Sequence, residues 1–92
     1  ENSTVVRIAV ARALLRMRTR EEKALAELSE SLESPEEWSR LHAAIALDEA
    51  DEQARPALPA LQKTLKKQPN KYIVRVANKA VNDLLGTNNS VK

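Results

Sequence analysis

The sequence lacks cysteine and phenylalanine altogether, contains a single glycine, and has only two aromatic residues, Trp38 and Tyr72. Without cysteine, the chain forms neither disulfides nor thiolate metal sites. With one glycine, it has no glycine-rich loop of the kind that holds nucleotide phosphates. No apolar run approaches the roughly 18 residues of a membrane-spanning helix, so we expect no membrane partner. The core must be built from alanine, leucine, valine and isoleucine.

Positive and negative charges are nearly equal in number. The 92 residues carry 15 basic and 13 acidic side chains, for a net charge of +2. This small excess of base is spread along the chain and indicates no particular partner. A hydrophobic content of 42% with 30% charged residues is typical of a helix-rich globular chain, and its length suits one domain with a modest core.

An internal repeat is the strongest signal in the sequence. The apolar positions of segment 24–32 recur 33 residues later in segment 57–65, and segment 35–38 recurs 34 residues later as 69–72. A period of this size is typical of stacked helical hairpins, in which each unit packs only on its neighbours. The matched leucines are Leu25 with Leu58, Leu28 with Leu61, and Leu32 with Leu65.

The hydrophobic periodicity predicts five helices. Short connections make neighbouring helices antiparallel, so the fold class is all-α: an α-α superhelix, or solenoid, of two and a half hairpins. Odd-numbered helices should form one layer and even-numbered helices the other. We place this domain at residues 1–86 and a flexible carboxy-terminal tail at 87–92. The predicted helices span roughly residues 3–17, 20–33, 35–49, 55–67 and 70–85.

The first helix carries an apolar stripe with helical spacing, which we expect to face the core. On this assignment Val5 and Ile8 lie uncovered, because no hairpin precedes the first helix in the repeat. An uncovered end of a solenoid normally needs a polar cap or a neighbour. The stripe consists of Val6, Val10, Ala13, Leu14 and Met17.

Capping residues mark most helix ends. Thr19 and Glu22 fit a capping box at the start of the second helix, and Ser34 precedes a proline at the start of the third. Asn70 can cap the fifth helix, and Gly86 is suited to end it in the left-handed conformation. Two prolines, at positions 56 and 59, should lie in the first turn of the fourth helix, where a missing amide costs least.

Two segments carry a family resemblance. Residues 39–47 contain an arginine, paired alanines and Ala-Leu, and residues 54–61 open the next helix with Pro-Ala-Leu. Val-Arg pairs at 6–7 and 74–75 look like the same pair in flanking units. Over nearly its whole length the chain resembles the HEAT-repeat family. The resemblance implies a superhelix of hairpins that serves as a scaffold for protein interaction.

A narrower resemblance concerns the end of the chain. Residues 70–80 and 84–89 are similar to HEAT-like segments that follow the catalytic domain of some bacterial sulfatases. This resemblance implies a carboxy-terminal accessory module of a larger hydrolase, which would be periplasmic or secreted. The sulfatase nucleophile motif, a Cys or Ser followed by x-Pro-x-Arg, is absent, so no catalytic residue carries over.

Two features could suggest chemistry. The run from Asp48 to Asp51 spells the acidic box of DEAD-type helicases, but that chemistry needs a phosphate-binding loop that is missing. Weak calcium binding would need an EF-hand spacing, which is also missing. His42 is the only histidine, and the sequence has no cysteine that could complete a zinc site with it. We favour a solvated helix end and a packing or surface histidine, and expect no catalytic residue, cofactor or metal.

A basic cluster surrounds the end of the fourth helix. Basic residues there complement the helix dipole, but they could also contact phosphates or an acidic polysaccharide. Nucleic-acid grooves usually add several stacking aromatics, and only Tyr72 is near, so nucleic acid is disfavoured. This possible interaction surface consists of Lys63, Lys66, Lys67 and Lys71.

A second set of residues should be structural. An arginine in a stack of hairpins can reach acidic groups or helix-end carbonyls of the neighbouring unit, with anion binding as the alternative. The leucines of the repeat should anchor the core. The set consists of Arg7, Arg40, Trp38, Leu28 and Leu61.

The sequence thus leaves two functions open. The favoured one is a non-catalytic scaffold or protein-interaction domain, an accessory to a larger hydrolase such as a sulfatase, whose partner is an adjoining domain of the same parent chain. The alternative is a free-standing adaptor that binds a polyanion, either nucleic acid or a sulfated glycan, through the lysine cluster. No small-molecule ligand is indicated.

Overall fold

The molecule is built from α-helices and one 3-10 segment. A computed structural model describes residues 4–67 and 70–87, and within these ranges there is no β-strand. This confirms the predicted all-α class. The helices are α1 (Thr4–Arg16), α2 (Glu21–Ser31), α3 (Glu37–Ala50), α4 (Leu58–Lys67) and α5 (Lys71–Leu85), and the 3-10 segment Asp51–Ala57 lies between α3 and α4.

The helices form the two layers expected of a solenoid. Helix α3 packs between α1 and α5, so the three odd-numbered helices make one layer. Helix α2 packs on α1 and α3, and α4 packs on α5. The molecule measures 38 × 26 × 16 Å, a flattened shape that fits side-by-side hairpins. No described helix has the length and apolar character needed to cross a lipid bilayer.

Alanine and leucine make up most of the core. Leu28 and Leu61, equivalent residues of the repeat, are both fully buried. The odd-numbered layer is lined with small side chains, which let helices approach closely. The buried alanines of α3 and α5 are Ala43, Ala44, Ala46, Ala77 and Ala80.

The expected orientation of α1 is wrong. Its core face consists of Ile8, Ala11 and Leu15, all buried. Ile8, expected to lie uncovered, is only 4% exposed. Most of the predicted stripe faces away from the core, but Leu14 is partly buried and packs against it as expected. Periodicity misassigned the helix because α1 is apolar on two faces, and spacing alone does not tell which one meets α2 and α3.

The capping box at Thr19 is also absent. The amide of Thr19 donates to the carbonyl of Leu14 (3.1 Å), and the amide of Arg18 donates to that of Leu15 (3.1 Å). These two bonds end α1 in a Schellman motif, with Arg18 left-handed at φ 53°. Thr19 therefore belongs to the end of α1. Arg20, left-handed at φ 50°, precedes α2 without a side-chain cap.

Helices α3 and α4 begin later than expected. The Ser34 hydroxyl accepts a hydrogen bond from the Glu36 amide (3.2 Å), and the α-helix starts only at Glu37. The predicted fourth helix is divided: Pro56 lies in the 3-10 segment, and only Pro59 lies in the first turn of α4. A proline has no amide to donate to the carbonyl four residues before it, so this segment does not close regular α-helical bonds.

Both ends of α5 match the prediction. The Asn70 side-chain oxygen accepts from the amides of Tyr72 (2.8 Å) and Ile73 (3.1 Å). Gly86 adopts the left-handed conformation at φ 69°, and the Thr87 amide donates to the Asn82 carbonyl (3.0 Å). Positions 1–3 of the predicted domain and positions 88–92 of the predicted tail lie outside the described residues.

Candidate functional site

Helix α1 presents a second apolar face to solvent. At about 100° per residue, the five residues of the predicted stripe share one side of the helix, and Leu14, at the edge of this side, also packs against the core. We call this side the α1 outer face. Val10 is 52% exposed and Met17 63%. The apolar face of a helix is normally buried, so the exposure of this face is unusual. The α1 outer face consists of Val6, Val10, Ala13, Leu14 and Met17.

A groove of about 300 Å³ runs between the α1 outer face and α2. Val10 and Leu14 form its apolar wall, and Arg20 and Lys23 lie on the α2 side. For these two basic residues, the described part of the chain supplies no carboxylate within 4 Å. The α1 side of the groove is thus apolar apart from Arg7, and the α2 side carries these two cations beside Glu27, which is paired with Arg7.

Arg7 joins the two helices of the first hairpin. Its Nη2 lies 2.6 Å from Glu27 Oε2 and 3.5 Å from Glu30 Oε1. The hydrogen bond to Glu27, and then the charge of that carboxylate, raise the pKa of the Arg7 guanidinium. Because the pair is exposed, its effect on stability is small. Arg7 contacts acidic groups of its own hairpin.

The acidic pair that ends α3 joins the odd-numbered layer. Glu49 accepts from Arg12 of α1, whose Nη2 lies 2.7 and 2.9 Å from the two carboxylate oxygens. Asp48 pairs with Lys79 of α5 at 3.3 Å. Hydrogen bonds from Lys79 to Asp83 and then to Asp48 raise the Lys79 pKa. In this position the acidic residues connect neighbouring helices.

The 3-10 segment supplies two contacts that sequence reasoning missed. The Gln53 amide nitrogen donates to the carbonyl of Leu15 (2.9 Å) at the end of α1 and also to the Glu21 carboxylate. Arg55 Nη2 donates to the carbonyl of Leu84 (2.8 Å) near the end of α5. Both side chains satisfy helix-end carbonyls. No local sequence pattern reveals them, since each partner lies about thirty or more residues away.

Trp38 and His42 lie one turn apart on α3. Their ring centroids are 5.6 Å apart with an interplanar angle of 74°, an edge-to-face contact. Both side chains are exposed. Within the described residues, no group of three or more histidine or acidic side chains is close enough to hold a metal ion.

A second cavity, which we call the basic cleft, lies where the turn between α2 and α3 meets α4. Arg40, Lys63 and Lys67 line it together with Glu33 and Ser34, and its volume is about 390 Å³. Arg40 Nη1 donates to the Ser34 carbonyl (2.7 Å). The buried Arg40 Nε has no hydrogen-bond partner among the described residues.

Lys63 and Glu33 form an ion pair at the rim of the basic cleft. Lys63 Nζ lies 2.9 Å from Glu33 Oε2. This hydrogen bond, and then the charge of Lys63, lower the pKa of the Glu33 carboxyl, with a smaller effect from Lys67. The predicted lysine cluster is thus divided. Lys63 and Lys67 line the cleft, whereas Lys66 and Lys71 are exposed outside it.

Comparison with known proteins agrees with this architecture. A family model of HEAT repeats matches residues 1–82. No curated protein and no solved structure matches the chain. HEAT repeats generally serve as scaffolds for protein interaction and are typically non-catalytic. With the match covering most of its length and the two-layered stack of hairpins described above, the chain belongs to the HEAT-repeat family.

Proposed function

We propose that this chain is a non-catalytic protein-interaction module whose α1 outer face packs on a helix of an adjoining domain in the same parent chain. The observation that carries the proposal is the apolar character and exposure of this face. Val10 and Met17 are more than half exposed on a helix whose opposite side already lies in the core. Covering such a face removes apolar surface from water, which is the main favourable term in association.

The layer geometry favours a helix as the occupant. Arg12 and Arg16 lie on the side of α1 that meets α3, since both approach Glu49. Val10 lies two residues from Arg12, and Leu14 lies two residues from Arg16. Each step is about 200° around the helix, which places both apolar residues nearly opposite α3. A further helix in the odd-numbered layer would therefore contact the α1 outer face, as α5 contacts the far side of α3.

The charges beside the groove define the chemistry of this helix. Arg20 and Lys23 border the apolar wall without a carboxylate partner in the described part of the chain. A helix with an apolar stripe and acidic residues along one edge would pair with both features. Electrostatic complementarity of this kind adds specificity more than affinity.

The proposed parent protein is a hydrolase such as a sulfatase, and its compartment would then be the periplasm or the exterior. The support for this part is the resemblance of residues 70–80 and 84–89 to sulfatase-associated segments. We do not advance the polyanion-binding alternative, because Lys63 is paired with Glu33 and Lys66 and Lys71 lie outside the basic cleft.

A fusion experiment tests the packing proposal. A consensus HEAT hairpin with an apolar face and an acidic edge would be joined ahead of residue 4, and unfolding by urea measured with and without it. Nearest-neighbour packing in solenoids predicts that the hairpin raises the denaturation midpoint. Val10→Asp should abolish this gain, because it places a charge in the new interface.

Leu85→Asp is the matched control, since Leu85 is 46% exposed near the end of α5. Each variant is also measured without the hairpin, so that effects intrinsic to the substitution cancel. The proposal fails if the fused hairpin adds no stability, or if both substitutions reduce the gain equally.

A further inference from the structure

The basic cleft has the size and charge of a small-molecule site. Its volume of about 390 Å³ lies within the range of ligand pockets, roughly 300–1,000 Å³. Three basic side chains and one carboxylate line it. Glu33 pairs with Lys63 at 2.9 Å and interacts more weakly with Lys67, so the lining keeps an excess of positive charge.

Two donor nitrogens of Arg40 have no acceptor within the described residues. Its Nη1 is engaged by the neutral Ser34 carbonyl, which holds the guanidinium in place. No hydrogen bond from Nε or Nη2 reaches an acceptor in the described part of the chain, and Nε is buried. Nε is enclosed by the protein, whereas Nη2 is not buried, so Nη2 is the charged donor that an anion in the cleft reaches.

Neighbouring side chains complete the set of contacts. The Ser34 hydroxyl accepts from the Glu36 amide, which leaves its own hydrogen available to a ligand. The Thr64 hydroxyl donates to the Ala60 carbonyl and is therefore not available as a donor. Pro35 is exposed and adds apolar surface to the same cleft, whereas Leu32 is only 3% exposed.

We propose that the basic cleft binds a phosphate monoester of a small molecule. The dianionic phosphate lies between Arg40 and Lys67, with the Ser34 hydroxyl as a further donor. The organic part of the ligand lies on the exposed Pro35. Three positive charges and one negative charge in the lining match a dianion better than a monoanion, and Arg40 Nη2 supplies a charge-assisted hydrogen bond.

Titration of the whole chain with phenyl phosphate, followed by ¹H–¹⁵N NMR at pH 7.5, tests the proposal. Saturable shifts are expected at the amides of residues 32–34 and 63–67. Benzenesulfonate, a monoanion of similar shape, and inorganic phosphate, which lacks the apolar part, should each bind about fivefold more weakly or worse. If benzenesulfonate bound as tightly as phenyl phosphate, the proposed preference for a dianion would be wrong. If inorganic phosphate bound as tightly, the proposed contribution of the organic part would be wrong.

Two lysine variants separate the site from general surface charge. Lys67→Gln should weaken phenyl phosphate binding about fivefold or more, whereas Lys66→Gln, outside the cleft, should leave it within about twofold. Both replace an exposed lysine of α4, so neither should impair folding. Equal weakening by both variants, or the absence of saturable shifts, would overturn the proposal. The α1 outer face takes no part in this test, so its outcome is independent of the packing proposal.

Discussion

Ile8 and Val10 lie two residues apart on α1 and face opposite environments: Ile8 is 4% exposed and Val10 is 52% exposed. Both are branched aliphatic residues, and the sequence pattern places Val10 inside. The structure reverses them because α2 and α3 cover the side that carries Ile8, Ala11 and Leu15. The free energy of unfolding should therefore depend on one of them and hardly on the other.

The first prediction compares these two residues. Ile8→Ala should lower the free energy of unfolding by roughly 2–4 kcal/mol, because it removes buried methyl groups and leaves a cavity. Val10→Ala should change it by at most about 0.5 kcal/mol, since the lost contacts are few and alanine favours the helix. Urea titration monitored by circular dichroism measures both. A larger loss for Val10→Ala than for Ile8→Ala would contradict the observed orientation of α1.

The second prediction concerns the bidentate pair between α1 and α3. The side chains of Arg12 and Glu49 are 28% and 44% exposed, so solvent screens the pair. A double-mutant cycle with Arg12→Met and Glu49→Gln should give a coupling of about 0.5–1 kcal/mol. Arg16, at 3.7 Å from the same carboxylate and 70% exposed, is the control, and its coupling to Glu49 should be near zero. A stronger coupling for Arg16 than for Arg12 would show that the geometry of the pair does not matter.

The third prediction is the pH response of Glu33. Because the hydrogen bond and charge of Lys63 lower the Glu33 pKa in the folded chain, the unfolded chain takes up this proton at higher pH. The stabilisation is therefore present above the ordinary glutamate pKa of about 4.3 and is lost as the pH falls through the lower folded value. Carboxyl ¹³C NMR should show a depressed Glu33 pKa that rises towards the ordinary value in Lys63→Met. An unchanged Glu33 titration in Lys71→Met, which removes an equal charge elsewhere, is the matched control.

The fourth prediction isolates backbone strain at the end of α5. Gly86 has φ 69°, and a Cβ added at this position would have no atom within 4 Å. Gly86→Ala should therefore cost about 1–2 kcal/mol through conformation alone, without any clash. Gly86→Asn should cost less, because asparagine tolerates the left-handed region. Thermal unfolding compares the two variants, and an alanine variant as stable as the wild type would contradict the strain assignment.

Sequence reasoning performed best where a local interaction sets the structure. Asn70 and Gly86 were correctly placed at the two ends of α5, because each cap depends on residues within one helical turn. The helix count and layer order followed from the repeat, since equivalent apolar positions must meet equivalent neighbours. Thr19 shows the limit of this reasoning: its pattern suits a capping box, but its amide closes the end of α1.

The candidate sites depend on contacts between residues that are far apart in the chain. The sequence spacing does not predict that Arg40 and Lys67 line one cleft, or that Arg12 pairs with Glu49. Both arrangements arise only when the hairpins stack. The sequence was enough to find the lysine cluster. It could not show that Lys63 pairs with Glu33 and is thereby set apart from the other lysines.

The amino-acid pattern alone determined that the chain forms antiparallel helical hairpins, because the 33-residue recurrence of leucines requires repeated units that bury the same positions. The tertiary structure decided which of the two apolar sides of α1 is buried and which is exposed to solvent. The physical reason is that helical periodicity reports how side chains are spaced around an axis, whereas burial depends on where the neighbouring helices lie.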